Sequence, residues 1–307
     1  MDTSSTPIPP LNTGTPAQNA LASRRERRVA YAMVVVPAMG TVVALMLAWR
    51  YGIGALELGL LAGMYLATGL GVEVGMHRFF SHHAFKAGPG ITALLGVLGS
   101  MAAQGPVLFW TATHRQHHAF TDQEDDPHSP QRHGNGLAGR LRGLWHAHIG
   151  WLFAMRRGNW ITFVPDLLRD RLVVKLSQWY FAWVGLGLAL PAAMGLAVGG
   201  TWRSALSGLL WGGLVRIFLV DQATWAVNSL AHSGGPRPHA TRDRSRNIAW
   251  LALLTMGGGW HNNHHAFPAL ARTGHKPWQI DLGGAAIELL ALLGLAWDVR
   301  RHRPKQD

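Results

Sequence analysis

Nine of the 17 histidines fall into four compact groups, and these groups are the residues best suited to chemistry. The groups are HRFFSH at residues 77–82, HRQHH at 114–118, NSLAH at 228–232 and HNNHH at 261–265. Their candidate metal ligands are His77, His82, His114, His117, His118, Asn228, His232, His261, His264 and His265. The other eight histidines are scattered along the chain and receive no role as ligands.

The spacing within each group indicates how the side chains are presented. Histidines at positions i, i+3 and i+4 lie on one face of a helix, so each HxxHH group offers three imidazoles together. Asn228 and His232 are four residues apart and also share a face. His77 and His82 are five residues apart, about 140° around an ideal helix. Both can reach one site only if the helix ends or distorts between them.

Nine imidazoles and one amide are more ligands than a single zinc ion needs, and they indicate two transition-metal ions. The sequence contains no cysteine, which excludes thiolate sites, iron–sulfur clusters and cysteine nucleophiles. Spacing alone leaves iron, copper, zinc and nickel open. The alternative interpretation is that these histidines are polar residues at membrane ends, or that they store or transport metal.

The surrounding sequence has the composition of a membrane protein, with 48% hydrophobic and 14% charged residues. Four apolar runs, at 29–49, 53–76, 179–198 and 205–227, are each near the roughly 20 residues that cross a bilayer. Short connections join them into two hairpins. The predicted fold is therefore an all-α integral membrane protein with four transmembrane helices in two hairpins and a cytoplasmic helical cap that holds a histidine-rich di-metal site.

The distribution of basic residues predicts which side of the membrane carries the histidines. The two short connections contain only Arg50 and Arg203, whereas most other Lys and Arg residues lie in the remaining segments. We therefore expect both termini and the metal site to be cytoplasmic. The apolar stretch 91–110 cannot cross, because crossing would place histidine groups on opposite sides of a core about 30 Å thick. The run 285–297 is too short to span and predicts a cytoplasmic or interfacial helix.

The chain divides into three parts on composition. Residues 1–23 lack periodicity and predict a disordered tail, residues 24–298 form the membrane domain, and residues 299–307 form a basic tail. The net charge of +12 is dispersed among apolar segments and not collected on one soluble face. Membrane lipid and phosphate-bearing substrates are therefore the expected partners, and nucleic acid is not.

The four histidine motifs, in this order between two membrane hairpins, resemble those of the membrane fatty acyl desaturases of the stearoyl-CoA type. The resemblance covers about residues 30–280 and includes DDPHSP at 125–130 and HIGWLF at 148–153. It implies an oxidoreductase with two non-haem iron ions, O2 as co-substrate and a long-chain fatty acyl thioester, on coenzyme A or acyl carrier protein, as substrate. The nine grouped histidines would bind the irons, and Asn228 would reach one iron through a water. No catalytic residue beyond the metal centre is implied.

The same resemblance implies substrate contacts. An acyl tunnel would pass the metal site between the spans, with Trp225 near its wall and Tyr65 or Gly69 toward its closed end. Arg115 and Arg156 match basic positions near the substrate headgroup.

Three carboxylates are candidates for supporting the ligands. Glu73 and Asp221 lie within apolar spans, where carboxylates are usually functional, and we expect them to orient ligand imidazoles. The alternative for both is a hydrogen bond between helices. Asp126 has the same predicted role, and an ordinary turn before Pro127 is its alternative.

Other activities remain open at the level of sequence. A hydroxylase or an acetylenase on the same scaffold would use the same metal oxidant, and a non-catalytic membrane metal-binding or transport protein is a rival of another class. Because the sequence has no cysteine and no haem-type domain, an enzyme of this kind needs an external electron donor of the ferredoxin or cytochrome type, with its reductase.

Overall fold

The computed structural model describes residues 24–134, 136–154 and 160–302, with side chains from residue 26 onward. The predicted tail at 1–23, most of the predicted tail at 299–307 and Arg156 lie outside the described residues.

Helices account for nearly all the regular structure of the described residues. In chain order the α-helices and spans are α1 (Arg24–Tyr51), α2 (Ala55–Ser81), α3 (Pro89–Met101), α4 (Val107–Phe120), α5 (Leu137–Trp145), α6 (Trp151–Ala154), α7 (Arg171–Gln178), α8 (Tyr180–Gly199), α9 (Trp202–Leu230), α10 (Ala249–Leu254), α11 (His261–Ala266) and α12 (Leu282–Leu292). A π-helical turn at His146–Gly150 precedes α6, and short 3-10 helices lie at Pro130–His133, Trp160–Phe163 and Leu167–Arg169. Two short strands, β1 (Lys86–Ala87) and β2 (Ala296–Trp297), pair antiparallel. The all-α prediction is confirmed.

Helices α1, α2, α8 and α9 are long and apolar enough to cross a membrane, which confirms the four predicted spans. Large apolar side chains such as Met46 of α1 are 66% exposed, as lipid-facing residues are. Tight turns join α1 to α2 and α8 to α9, and the positive φ angles of Gly52 and Gly200 suit glycine in these turns. Exposed Trp49 and Trp202 lie beside the turns, where interfacial aromatic residues are expected.

The last eleven residues of α2, Gly71–Ser81, form a π-helix. Its backbone bonds run from i to i+5, and the amide of His82 donates to the carbonyl of His77 at 3.2 Å. The Ser81 hydroxyl donates to the carbonyl of Met76, again five residues back. The wider turn brings residues five apart close to the same face, so His77 and His82 point together. The predicted distortion between them is confirmed.

The apolar stretch 91–110 is broken into two helices that meet at an irregular segment containing Gly105, which has a φ of +112°. Helix α3 has 13 residues and is about 20 Å long, too short to cross a core of about 30 Å. It packs against α2 and α8 and turns the chain back, so α4 delivers its histidines beside those of α2. The short length of α3 and the meeting of the two histidine groups are what the prediction of a stretch that does not cross requires.

Buried Arg78 joins the C-terminal part of the chain to α2. Its guanidinium bonds Glu73 and both carboxylate oxygens of Asp281, and it also donates to Thr273 and to the carbonyl of Ala271. This network fixes the segment before α12 against the π-helical end of α2. Helix α12 ends at Leu292 and is followed by β2, so the predicted short helix near 285–297 is present.

Arg216 occupies the middle of α9 and is completely buried. It donates to the carbonyls of Met101, at the end of α3, and of Gly187, on α8, at 2.5 and 2.7 Å. A third bond goes to the Gly212 carbonyl of its own helix. In lipid every backbone polar group needs an internal partner, and Arg216 supplies one where three helices meet.

Replacing Arg216 with methionine should destabilise the fold. The substitution leaves the carbonyls of Met101 and Gly187 without the Arg216 donor, which costs about 1–3 kcal/mol for each carbonyl. We expect this cost to exceed the free energy gained by removing a buried charge. We expect the midpoint of thermal unfolding in detergent to fall by roughly 5 °C or more. Arg203→Met, an exposed position beside the turn, is the matched control and should leave the midpoint unchanged. A midpoint that is unchanged or raised in Arg216→Met would contradict the structural role of this side chain.

Candidate metal centre

The four histidine groups converge on one place, at the same end of the helix bundle. Two clusters form, and within each cluster the ligand atoms lie within 4.8 Å of one another. Site A consists of His77, His82, His114, His118 and His264, and site B consists of His117, His232, His261 and His265. All nine predicted histidines are therefore brought together. Neighbouring members of each HxxHH group face different sites, as the helical spacing predicts.

Distances between ring nitrogens fit metal coordination. The Nε2 atoms are separated by 3.0 Å for His77–His264, 2.7 Å for His82–His114, 2.9 Å for His118–His264 and 2.9 Å for His232–His261. Two imidazoles bound to one metal at about 2.1 Å and at right angles have nitrogens about 3 Å apart. In each site the imidazole rings bring ring nitrogens within 4.8 Å of one another, close enough to share one metal ion.

The protonation state of the rings also suits metal binding. Burial lowers the pKa of His82, His114, His118, His261 and His264 well below the ordinary value, and it lowers the pKa of His117 and His265 as well. These rings are therefore neutral near pH 7 and keep a free lone pair. The Nε2 atoms of His117 and His265 are buried and have no hydrogen-bond partner. A metal ion would supply the partner that these atoms lack.

Carboxylates surround site B. Three of its four imidazoles have a carboxylate at Nδ1, and the pairs are His117–Asp126 at 3.0 Å, His232–Asp122 at 3.2 Å and His265–Asp243 at 2.9 Å. Burial opposes ionisation of these carboxyls, but their bonds to histidine outweigh it, and the pKa of each falls below its ordinary value. Such partners fix the tautomer of a metal-binding ring and raise its basicity.

The sequence prediction for these supporting residues was incomplete. The structure places Asp126 beside a site B imidazole, where it was expected. Asp122 and Asp243 were missed, because they lie in irregular segments whose approach to the histidines has no periodic signal. The acidic cluster just after the second histidine group, TDQEDD, was the one available hint for Asp122.

Site A has a different environment. Among the described residues, only His77 of this cluster has a carboxylate within 4 Å, with Glu73 Oε1 3.2 Å from its Nδ1. This contact lacks hydrogen-bond geometry, and Glu73 forms its closer bond, 2.7 Å, with Arg78. Arg78 therefore offsets the charge of Glu73. Site B lies among three anionic groups, whereas site A lies beside a single neutralised one.

Asp221, the other carboxylate expected to orient an imidazole, lies elsewhere. It is buried on α9, seven residues or about 10 Å before Asn228, and it interacts with Gln104 and the charge of Arg216. Its Oδ1 atom has no hydrogen-bond partner, and no histidine lies within ion-pair distance among the described residues. Its place therefore corresponds to the alternative reading, a contact between helices.

Arg115, expected near the substrate headgroup, is occupied by contacts within the protein. It donates to the carbonyls of Phe80, Ser81 and Phe163 and forms a two-pronged ion pair with Asp166. These bonds tie α4 to the end of α2 and to the segment before α7. The guanidinium does not line the cavity beside the metal centre.

A cavity between α2 and α9 leads to the histidines. Its lining residues are Tyr65, Gly69, Val72 and Glu73 from α2, Val220, Ala223, Thr224, Val227 and Asn228 from α9, Trp110 from α4, Leu254, Thr255 and Gly258, and the four histidines His77, His114, His117 and His261. Most of this lining is apolar. The Tyr65 hydroxyl donates to the carbonyl of Leu254 at 2.8 Å, which joins α2 to α10 across one side of the cavity.

The expected tunnel residues are partly found in this lining. Tyr65 and Gly69 lie in the wall, as does Asn228, close to the imidazoles. Trp225 is buried and does not line this cavity; its ring lies 6.1 Å from that of His148.

Replacing Asp126 with asparagine should weaken metal retention at site B. The amide keeps the size of the side chain but loses the charge that orients His117, and loss of such a partner typically costs 10–100-fold in metal affinity. Metal content after titration with a chelator, read by mass spectrometry, measures the effect. Asp125→Asn, an exposed neighbour, is the control and should retain metal like the wild type. Equal retention in the two variants would argue against the supporting role.

Comparison with known proteins agrees with this geometry. Residues 55–279 match the fatty acid desaturase family. The chain is 46% identical over 268 residues to the hex-5-enoyl-[acyl-carrier protein] acetylenase of Moorena producens (strain JHB), covering 87% of this chain and 84% of that protein.

Desaturases named for lipid-bound chains are also similar. The sn-1 stearoyl-lipid 9-desaturase of Anabaena variabilis is 36% identical, over 79% of this chain and 83% of that protein. The sn-2 palmitoyl-lipid 9-desaturase of Nostoc sp. (strain 36) is 34% identical, over 86% of this chain and 87% of that protein. With its converging histidine groups, its apolar cavity and these matches, the chain belongs to the fatty acid desaturase family.

Proposed function

We propose that this protein uses O2 at a non-haem di-iron centre to remove two hydrogens from neighbouring methylene groups of a long-chain fatty acyl thioester. The observation that carries the proposal is the convergence of nine imidazoles, five buried and four partly buried, beside an apolar cavity. An acyl chain fits the chemistry of that cavity, and a metal pair fits the chemistry of its end.

Iron is the metal that best fits both the nitrogen donors of the two sites and the redox chemistry of the family. The sites offer nitrogen donors and no thiolate, which imidazole-bound iron, copper or zinc accept. Membership of an oxidoreductase family favours a redox-active metal over zinc. When bound, iron would supply the activation of O2 that breaks an unactivated C–H bond, for which no side chain is a strong enough oxidant.

The protein residues would position the substrate and keep the site dry. Val72, Val220 and Val227 lie on opposite walls of the cavity and would hold methylene groups by contact alone. Apolar walls also keep water from the reacting carbon. Asn228, at the end of the wall, would reach one iron through a water, as the resemblance implies. Selectivity among chemically similar methylenes then comes from position.

The electron balance requires an outside donor. Reduction of O2 to two waters consumes four electrons and four protons. Formation of one double bond releases two electrons and two protons from the acyl chain, which leaves two of each to be supplied. A ferredoxin- or cytochrome-type carrier with its reductase would supply the electrons one at a time, since the cysteine-free sequence holds no iron–sulfur cluster.

Acetylenic bond formation is the second candidate function. The 46% identical relative is named an acetylenase that acts on a chain bound to acyl carrier protein, and this favours a thioester over a lipid-bound chain. The same oxidant can remove two hydrogens from an existing double bond. Metal transport is less well supported, because the cavity lining away from the histidines is mainly apolar.

The membrane orientation belongs to the same proposal. With both hairpin turns on the outer side, the termini and the metal centre would face the cytoplasm, where carriers of acyl chains and electrons are found. The positive-inside distribution of Lys and Arg supports this arrangement.

Replacing His264 with alanine should abolish both metal binding at site A and product formation. His264 lies 3.0 Å from His77 and 2.9 Å from His118 through its Nε2 atom, so its loss opens the centre of that cluster. Iron per chain and acyl products from an expressing host measure the two effects. His302→Ala, an exposed histidine outside both sites, is the control. A wild-type product profile in His264→Ala at normal protein level would refute its role as a ligand.

The two candidate activities predict different preferred substrates. A desaturase converts a saturated acyl thioester to a product lighter by two hydrogens, whereas an acetylenase requires an acyl chain that already carries a double bond. An assay distinguishes the two activities. The purified protein is supplied with saturated and terminally unsaturated acyl-carrier-protein thioesters, and the released acids are identified by mass spectrometry. Conversion of the unsaturated chain alone would reject desaturation of saturated chains as the main activity.

A further inference from the structure

The segment between α9 and α10, residues 233–248, carries an unusual concentration of positive charge. It contains four arginines, Arg237, Arg242, Arg244 and Arg246, and one acidic residue, Asp243. The side chains of Arg237, Arg242 and Arg244 are exposed. We name this segment the arginine loop.

The single carboxylate of the arginine loop is turned inward. Asp243 Oδ2 lies 2.9 Å from Nδ1 of His265, and its Oδ1 accepts bonds from Ser245 and Thr241. Its side chain is 11% exposed. The anion therefore supports a site B imidazole, and the outer surface of the loop presents arginines without the compensating charge.

The arginine loop is also bonded directly to the surroundings of site B. The backbone amide of Arg244 donates to Asp122 Oδ2 at 2.7 Å, and the same oxygen lies 3.2 Å from Nδ1 of His232. Asp243 and Arg244, neighbours in sequence, thus each reach one imidazole of site B. A positively charged surface is separated from two imidazoles of site B by one carboxylate in each case.

The arginine loop is separate from the acyl cavity. No residue of 233–248 lines that cavity, whose walls come from α2, α4, α9 and residues 254–261. A surface that meets the metal site without meeting the substrate space suits delivery of electrons. It does not suit delivery of an acyl chain, which must enter the cavity.

From this geometry we propose that the arginine loop is the docking surface for an acidic electron-carrier protein, which passes single electrons to site B. The inference rests on the proposed function and adds the place of electron entry. Opposite charges steer such carriers to their partners and raise the rate of encounter, an effect that salt weakens. The carrier supplies the two electrons that O2 reduction requires beyond those taken from the acyl chain.

The test uses the full-length, iron-loaded protein and a reduced plant-type [2Fe–2S] ferredoxin, an acidic one-electron carrier, with its NADPH-dependent reductase. In the double variant R242Q/R244Q we expect the KM for ferredoxin to rise by about tenfold and the salt dependence of turnover to weaken. Binding of ferredoxin, measured by surface plasmon resonance, should weaken by a similar factor. The charge-retaining variant R242K/R244K should restore both values.

Two controls make the result specific. R169Q/R171Q removes two exposed arginines from another part of the cap and should leave the KM for ferredoxin unchanged. With dithionite as reductant, R242Q alone should turn over at the wild-type rate, because its guanidinium lies outside the metal centre.

Different outcomes overturn different claims. Unchanged ferredoxin binding in R242Q/R244Q would overturn the docking site, and so would a rise in the KM for the acyl-carrier-protein substrate alone, which would assign the loop to that partner. A dependence of the variant defect on anionic lipid in vesicles would assign it to the membrane surface. Because binding is measured apart from turnover, a wild-type protein inactive even with dithionite would overturn the proposed function and not the docking site.

Discussion

The structure depends on one costly arrangement, the packing of nine imidazoles, five buried and four partly buried, into two clusters whose ring nitrogens lie within 4.8 Å of one another. Buried polar atoms without partners are unfavourable, and in this protein several Nε2 atoms find only one another or nothing. Burial lowers the pKa of seven of these rings, which removes repulsion among those seven but leaves their lone pairs to be satisfied. Metal binding would satisfy them and so couple the stability of the fold to the chemistry of the site.

Several features of the fold exist to bring the four histidine segments together. The π-helical end of α2 rotates His82 into line with His77, and the break after α3 returns the chain so that α4 meets α2. Arg78 and Arg216 then fix these irregular places. Arg78 lies within the π-helical end of α2 and bonds Glu73, Asp281 and the carbonyl of Ala271. Arg216 bonds the carbonyl of Met101, where α3 ends. The local departures from regular structure are thus the means by which distant residues share one site.

Sequence predicted the parts of this structure that follow from local pattern. Hydrophobic runs located the spans, i, i+3, i+4 spacing located the imidazole faces, and the odd spacing of His77 and His82 predicted a distortion. Asp122 and Asp243 could not be found in this way, because they reach the imidazoles from irregular segments 110 and 22 residues away in sequence. The expected role of Asp221 failed for another reason: its position within an apolar span does not specify its partner, and the side chain interacts with Gln104 and with the charge of Arg216, five residues earlier on the same helix.

The different surroundings of the two sites correspond to two tasks of the proposed mechanism, attack on a C–H bond and uptake of electrons. Three carboxylates beside site B orient its imidazoles and raise their basicity. Site A has one carboxylate, Glu73, whose charge is offset by Arg78. An oxidant that attacks C–H bonds must form where water is excluded, yet electrons must arrive from a solvated surface. In the proposed mechanism, the apolar wall and the carboxylate-linked arginine loop would meet these demands at different faces of the two histidine sites, so neither would have to compromise the other.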